Sequence, residues 1–144
     1  MELYEEFFIS NLETLSEEIS MFQNEADLWK LSGSLNNTCG NLAMHLCGNL
    51  KHFIGFGIGM NGYIRNRDLE FSIKGLSKED ILSEIKSTSD AISPVLEKLT
   101  KEDLLNKYEY DFFGDGTTID YVLMRLASHF TYHLGQINYF RRLL

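Results

Sequence analysis

Two histidines stand four residues apart, His129 and His133, and Gln136 follows three residues on. Together with Val122, Leu126 and Phe140 they are spaced 4, 3, 4, 3, 4, the period of one continuous inward-facing seam on a helix. Three consecutive polar side chains therefore interrupt a stripe that leucine or isoleucine would fill more stably. An unpaired buried polar group costs about 1–3 kcal/mol, so these residues need partners. One turn apart, two imidazoles share a face with Cβ atoms roughly 5–6 Å apart, a separation that one tetrahedral ion can bridge.

A second segment shows the same oddity. Leu42, His45, Asn49, His52 and Phe56 are spaced 3, 4, 3, 4, beside an apolar stripe of Leu42, Leu46, Leu50 and Phe53. If the two histidine faces meet, the interior holds a nitrogen-rich pocket of the kind in which helix bundles build metal sites. His52 could be a fourth ligand or a supporting group, but a rim position is favoured, since the seam logic weakens near the glycine-rich end of its helix. Gln136 stays open between orienting an imidazole or substrate and a helix-packing hydrogen bond.

Neither stripe carries a carboxylate that would serve as a general base. Asp120 and Glu70 are the nearest candidates, and both lie outside the stripes. Arg65 and Arg67 could bind an anionic substrate, although solvated loop arginines are the commoner case. Cys47, two residues after His45, falls on another face and reads as packing.

Four helices are needed to position these groups. The apolar period predicts the first over roughly residues 2–24, with Phe8, Leu12, Leu15, Ile19 and Phe22 inward and Glu2, Glu5 and Glu6 at the positive end of its dipole. The second is predicted over roughly 38–57, ending in Gly55-Phe-Gly-Ile-Gly59. The third starts where Ser77 can cap it with Asp80 in the first turn; Ile81, Ile85, Ile92 and Leu99 line its buried face, and Pro94 should kink or shorten it. The fourth starts after Gly114-Asp-Gly116 with Thr117 or Thr118 as cap and runs to the end of the sequence. Residues 58–76 form a long link, enough for a crossover that sets helix three parallel to helix two. In 100–116, Thr100 and Asp103 suit the cap of a short helix, and Tyr108–Phe113 reads as extended.

The 144 residues fit one all-α domain over 1–144, a four-helix bundle with a long crossover between helices two and three. The net charge of −8 and the absence of a basic cluster beyond Arg141-Arg142 argue against a nucleic-acid surface. No apolar run reaches membrane-spanning length, and the acidic start is unlike a signal peptide, so no membrane association is expected. Cys39 and Cys47, eight residues apart on one helix, would lie about 12 Å from each other, too far for a bridge. Reduced thiols in the cytoplasm follow as the expectation.

Several stretches resemble the DinB-like superfamily: Trp29, Gly40-Asn-Leu-Ala-Met-His45-Leu-Cys-Gly-Asn-Leu50, Arg67-Asp-Leu-Glu-Phe71 and His129-Phe-Thr-Tyr-His133-Leu-Gly-Gln136-Ile137. The likeness spans essentially the whole chain, and H-x-x-x-H-x-G-Q-I is its most specific part. It implies an up-down-down-up bundle, frequent homodimerisation, and one divalent metal ion held by a helix-two histidine and the helix-four pair, here His45, His129 and His133. Glycine and asparagine after the helix-two histidine are similar to an uncharacterised branch of that superfamily.

Three neutral imidazoles leave an ion its full charge and an open position, the layout of a catalytic site. Asn49, Gln136, His52 and Arg67 are the candidate supporting or substrate-contacting residues. Zinc or nickel is the first expectation for the metal, then iron or manganese. Some characterised relatives implied by the resemblance join low-molecular-weight thiols to electrophiles. With no base in sight, a metal-dependent thiol transferase is the leading expectation. A non-catalytic metal-binding or stress-response bundle and a metal-dependent hydrolase are the alternatives.

Overall fold

A computed structural model describes residues 2–144, and among them the regular structure is helical, with no strand. Helix α1 (Glu2–Ser20) buries Phe8, Leu12, Leu15 and Ile19, the residues its period places on one side. It stops four residues before Asn24, because the Asn24 side chain accepts a hydrogen bond from the Ala26 amide and starts a 3-10 turn over Glu25–Trp29. Phe22 is nonetheless buried.

Helix α2 (Cys39–Leu50) is capped by Thr38, whose hydroxyl accepts the Asn41 amide at 3.1 Å. It continues as a π-helical turn over Lys51–Phe56. The link of 58–76 contains a six-residue helix, α3 (Arg67–Ser72), that the apolar period does not reveal. Asn66 caps it, and the buried Asn41 side chain donates to the carbonyls of Glu70 at 3.1 Å and Ile73 at 2.8 Å, fastening α3 to α2.

Helix α4 (Lys78–Glu97) opens with the Ser77–Asp80 capping box, both of its hydrogen bonds present. Pro94 lies inside it, one turn before the end. The helix stops at Glu97, so Leu96 joins Ile81, Ile85 and Ile92 in the core, while Leu99 lies past the end and is only half buried. Thr100 and Asp103 do cap a short helix, α5 (Lys101–Leu105). Tyr108–Phe113 is not extended: the segment is held by an isolated Lys107–Thr118 bridge and turns beyond it, with the buried Tyr108 donating its hydroxyl to the Phe53 carbonyl at 2.9 Å. Helix α6 (Ile119–Arg141) is capped by Thr118.

Side-chain contacts fix how the long helices run. Ser93 donates to Glu5, and Lys78 to the Ser20 carbonyl, so α1 and α4 are antiparallel. Tyr4 donates to Asp120, and Asn138 and Arg141 both donate to Glu18, so α1 and α6 are parallel. Lys51 pairs with Glu84 at 2.6 Å and Gly59 abuts Val95, so the α2 segment runs along α4 in the same sense. Cys39 approaches the Ile137 carbonyl, while His45 meets His129, so α2 opposes α6. The crossover through α3 is what returns the chain to start α4, and Glu70 and Phe71 on it lie against His45.

Candidate metal centre

His45 lies in the middle of α2 and is buried; His129 and His133 lie one turn apart on α6. The antiparallel packing of α2 on α6 brings the three rings together, with centroids 4.9 Å (His45–His129), 5.3 Å (His45–His133) and 4.6 Å (His129–His133) apart. One ring nitrogen from each lies within 4.8 Å of the other two. Among the described residues this is the one group of three or more such donors with that geometry.

Two of the three rings have their tautomer set by an acceptor. The Glu70 carboxylate accepts the Nδ1–H of His45 at 3.0 Å, and the Gln136 side-chain oxygen accepts that of His133 at 2.7 Å. Each bond leaves an Nε2 lone pair free to ligate. His45 Nε2 faces His129 Nε2 at 3.0 Å, so something electron-poor, a proton or a cation, has to sit between the two nitrogens. His129 Nδ1 is buried without a partner. Burial, then the neighbouring His133 and His45 and the charges of Arg65 and Arg67, push His129 down to about 4. His133 is also held below the usual histidine range, by burial first and by His45, with Gln136 acting the other way. Both α6 rings are therefore neutral near pH 7, the form a metal requires. The donor set fits a divalent ion that accepts imidazole.

Glu70 is the residue that spacing alone did not find. Burial pushes its carboxyl up, but hydrogen bonds from His45 and Arg65 and the Arg65 charge outweigh burial and hold it below the usual carboxylate range. Arg65 donates from Nε to one carboxylate oxygen and from Nη2 to the other, both at 2.9 Å, a bidentate pair with both partners largely buried. The reading of Arg65 as a solvated loop arginine is thus wrong. Gly48 makes room for the carboxylate: a Cβ there would stand 1.9 Å from Glu70 Oε2. The available signal was Asn66 as a helix cap ahead of Asp68 and Glu70, too short a helix to show a period.

Other expected residues fall differently. The α6 seam is not wholly internal. Leu123, Phe130 and Ile137 join Val122, Leu126 and Phe140 in the core, which turns the histidine edge toward the border with solvent and leaves Gln136 exposed. Asn49 is buried, its Oδ1 without a partner, and lines a 360 Å³ cavity that His129 also borders. His52 is not in the histidine group. The helix widens to π geometry at Lys51, which breaks the 3–4 spacing, and His52 stacks instead among Phe53, Phe56 and Phe112. Arg67 is exposed and lies over the Phe71 ring, whose other neighbour is His45. Cys39 and Cys47 are free and buried, and burial pushes both thiols up to about 12. No helix among the described residues is long and apolar enough to cross a membrane.

An all-α bundle with this histidine cluster has the DinB-like fold. A crystal structure of a DinB-like protein from Bacillus cereus ATCC 10987 superposes with a TM-score of 0.77 at 17% identity, covering 99% of this chain and 91% of that one. Residues 4–144 match the DUF1572 family, described as proteins of unknown function, and the chain belongs to that family. No curated protein matches the sequence significantly.

Proposed function

We propose that the protein binds one divalent metal ion through His45, His129 and His133 and uses it to transfer a low-molecular-weight thiol to an electrophile. The observation that carries this reading is a three-imidazole cluster in which His45 and His133 are oriented by their own acceptors while no fourth side-chain ligand joins them among the described residues. Such a donor set leaves an ion open to an exogenous ligand, unlike the closed shell of a structural site. When bound, the ion supplies Lewis acidity that lets a thiol ionise near neutral pH.

The surrounding residues favour thiol transfer over hydrolysis. Hydrolysis profits from a carboxylate or imidazole free to take a proton from water. Glu70 is committed to His45 and Arg65 and is not free to serve. In the transfer, the S–H proton passes to solvent, a C–S bond forms and the leaving group departs with its bonding pair. Zinc or nickel suits the imidazole donors best, with iron or manganese next. Two buried free thiols support a cytoplasmic setting, and the homodimer implied by the resemblance is part of the same proposal.

The reading is tested by thiol consumption across a panel of small thiols and electrophiles, with protein carrying no histidine tag and loaded with zinc or nickel. Turnover that needs the metal and vanishes in His129→Ala, with helicity unchanged, is expected. Thiol loss at the uncatalysed rate for every pair would overturn it.

A further inference from the structure

Two cavities flank the histidine cluster, and they differ in chemistry. The larger, 860 Å³, is bordered by His133 and Gln136 and walled by Leu42, Tyr139, Phe140 and Leu143. Its remaining polar contributions include the carboxamides of Asn36 and Asn37, and no Lys, Arg, Asp or Glu lines it. In a chain that is 24% charged with a net charge of −8, a wall without charged side chains offers an ionic ligand no counter-charge, so the side chains here favour a neutral one. The smaller cavity is bordered by His129, Ser128, Arg125 and Asn49, and so offers a cation and an unpartnered buried oxygen. Tyr132 lines both and separates them.

We propose that the larger cavity is the binding site for an uncharged, predominantly apolar organic ligand of aromatic size. Its volume falls in the roughly 300–1,000 Å³ range of small-molecule sites. Apolar walls supply the affinity, and the carboxamides orient whatever neutral polar group the ligand carries. Resting on the transferase reading, this ligand is the electrophile, and the polar thiol approaches from the Arg125 side. Two compartments that each touch a different histidine suit two organic substrates, whereas hydrolysis would need one.

Gly135 provides a plug. It lies on the cavity wall in α6, and a Cβ there would meet nothing within 4 Å. Leucine at this position adds helix propensity and places apolar bulk at the cavity wall, where an added Cβ meets no neighbour.

The experiment titrates the protein before and after metal loading with 2-naphthalenemethanol and with 2-naphthoate, equal in apolar body and different in charge. The preference is read from the metal-free titration, where the carboxylate has no ion to ligate. The uncharged probe is expected to bind at least tenfold more tightly. Gly135→Leu should weaken it tenfold or more with a melting temperature no lower than that of the wild type, Arg125→Ala should change it less than twofold, and Asn36→Lys should shift preference toward the naphthoate. Equal binding of the two probes, or full binding to Gly135→Leu, would overturn the proposal. So would a Gly135→Leu protein of halved mass with probe binding intact, which would make this face a subunit interface. A protein that discriminates the probes but shows no metal-dependent turnover would sink the transferase reading and leave the cavity assignment standing.

Discussion

Glu70 reaches across from the crossover helix to take the Nδ1–H of His45 at 3.0 Å, while Arg65 grips both of its oxygens. The contact ties one helix-two imidazole to a segment 25 residues further along the chain. It fixes the ring orientation of His45 and points its Nε2 toward the other two rings.

Removing that carboxylate is therefore expected to act on metal binding from outside the ligand set. Glu70→Ala should weaken zinc binding about 10–100-fold. It should also lower stability by about 3 kcal/mol, since the Arg65 guanidinium loses its partner in a largely buried place. Glu70→Gln keeps an acceptor for His45 and should recover much of the affinity. Calorimetric zinc titration of the two variants checks this; equal affinities for wild type and Glu70→Ala would refute it.

Gly48 offers a subtler route to the same site. An added methyl would overlap the Glu70 carboxylate, so Gly48→Ala should push Glu70 off His45 despite the better helix propensity of alanine. A stability loss of about 1–3 kcal/mol is expected from the overpacking. Weaker zinc binding should accompany it. A variant as stable and as metal-competent as wild type would show that the fit is looser than described.

Metal-free protein should lose stability on the acid side. His129 titrates at about 4 in the fold against 6.5 for an unperturbed histidine, so between those values the unfolded chain binds the extra proton. Unfolding is then favoured as pH falls from about 6.5 to 4, and the slope flattens below. His133, shifted the same way, adds to it. Melting temperatures across this range should fall less steeply for His129→Leu than for wild type; parallel curves would contradict the assignment.

Much of the bundle was readable from the chain because its signals are local and periodic. Phe8, Leu12, Leu15 and Ile19 mark α1, and Ser77 with Asp80 marks the start of α4. The three histidines were readable for the same reason, since apolar neighbours at helical spacing gave them a face. What stayed hidden has no period. Arg65 and Glu70 belong to a link whose only helix is six residues long, placed by hydrogen bonds from Asn41. For His52 spacing could not decide between ligand and rim, because the 3–4 rule assumes an α-helix and the helix has already widened at Lys51. Gln136 sits on the expected stripe but is exposed, because packing chose an adjacent strip of α6 for the core.

Gln136 yields a further contrast. It is the acceptor for His133 Nδ1, and it is exposed, so its removal lets water take the same proton. Gln136→Ala should cost little stability, within about 0.5 kcal/mol. It should weaken zinc binding less than Glu70→Ala does. A larger loss of affinity than for Glu70→Ala would reverse the ranking of the two supporting contacts.

His45, His129 and His133 together are proposed to hold one divalent ion. Elemental analysis of protein purified without a histidine tag and dialysed against zinc or nickel measures it most directly. One equivalent of metal per chain is predicted, falling to a small fraction in His45→Ala, His129→Ala and His133→Ala and staying near one in His52→Ala. No stoichiometric metal in the wild type, or full metal retained after loss of His129, would contradict it.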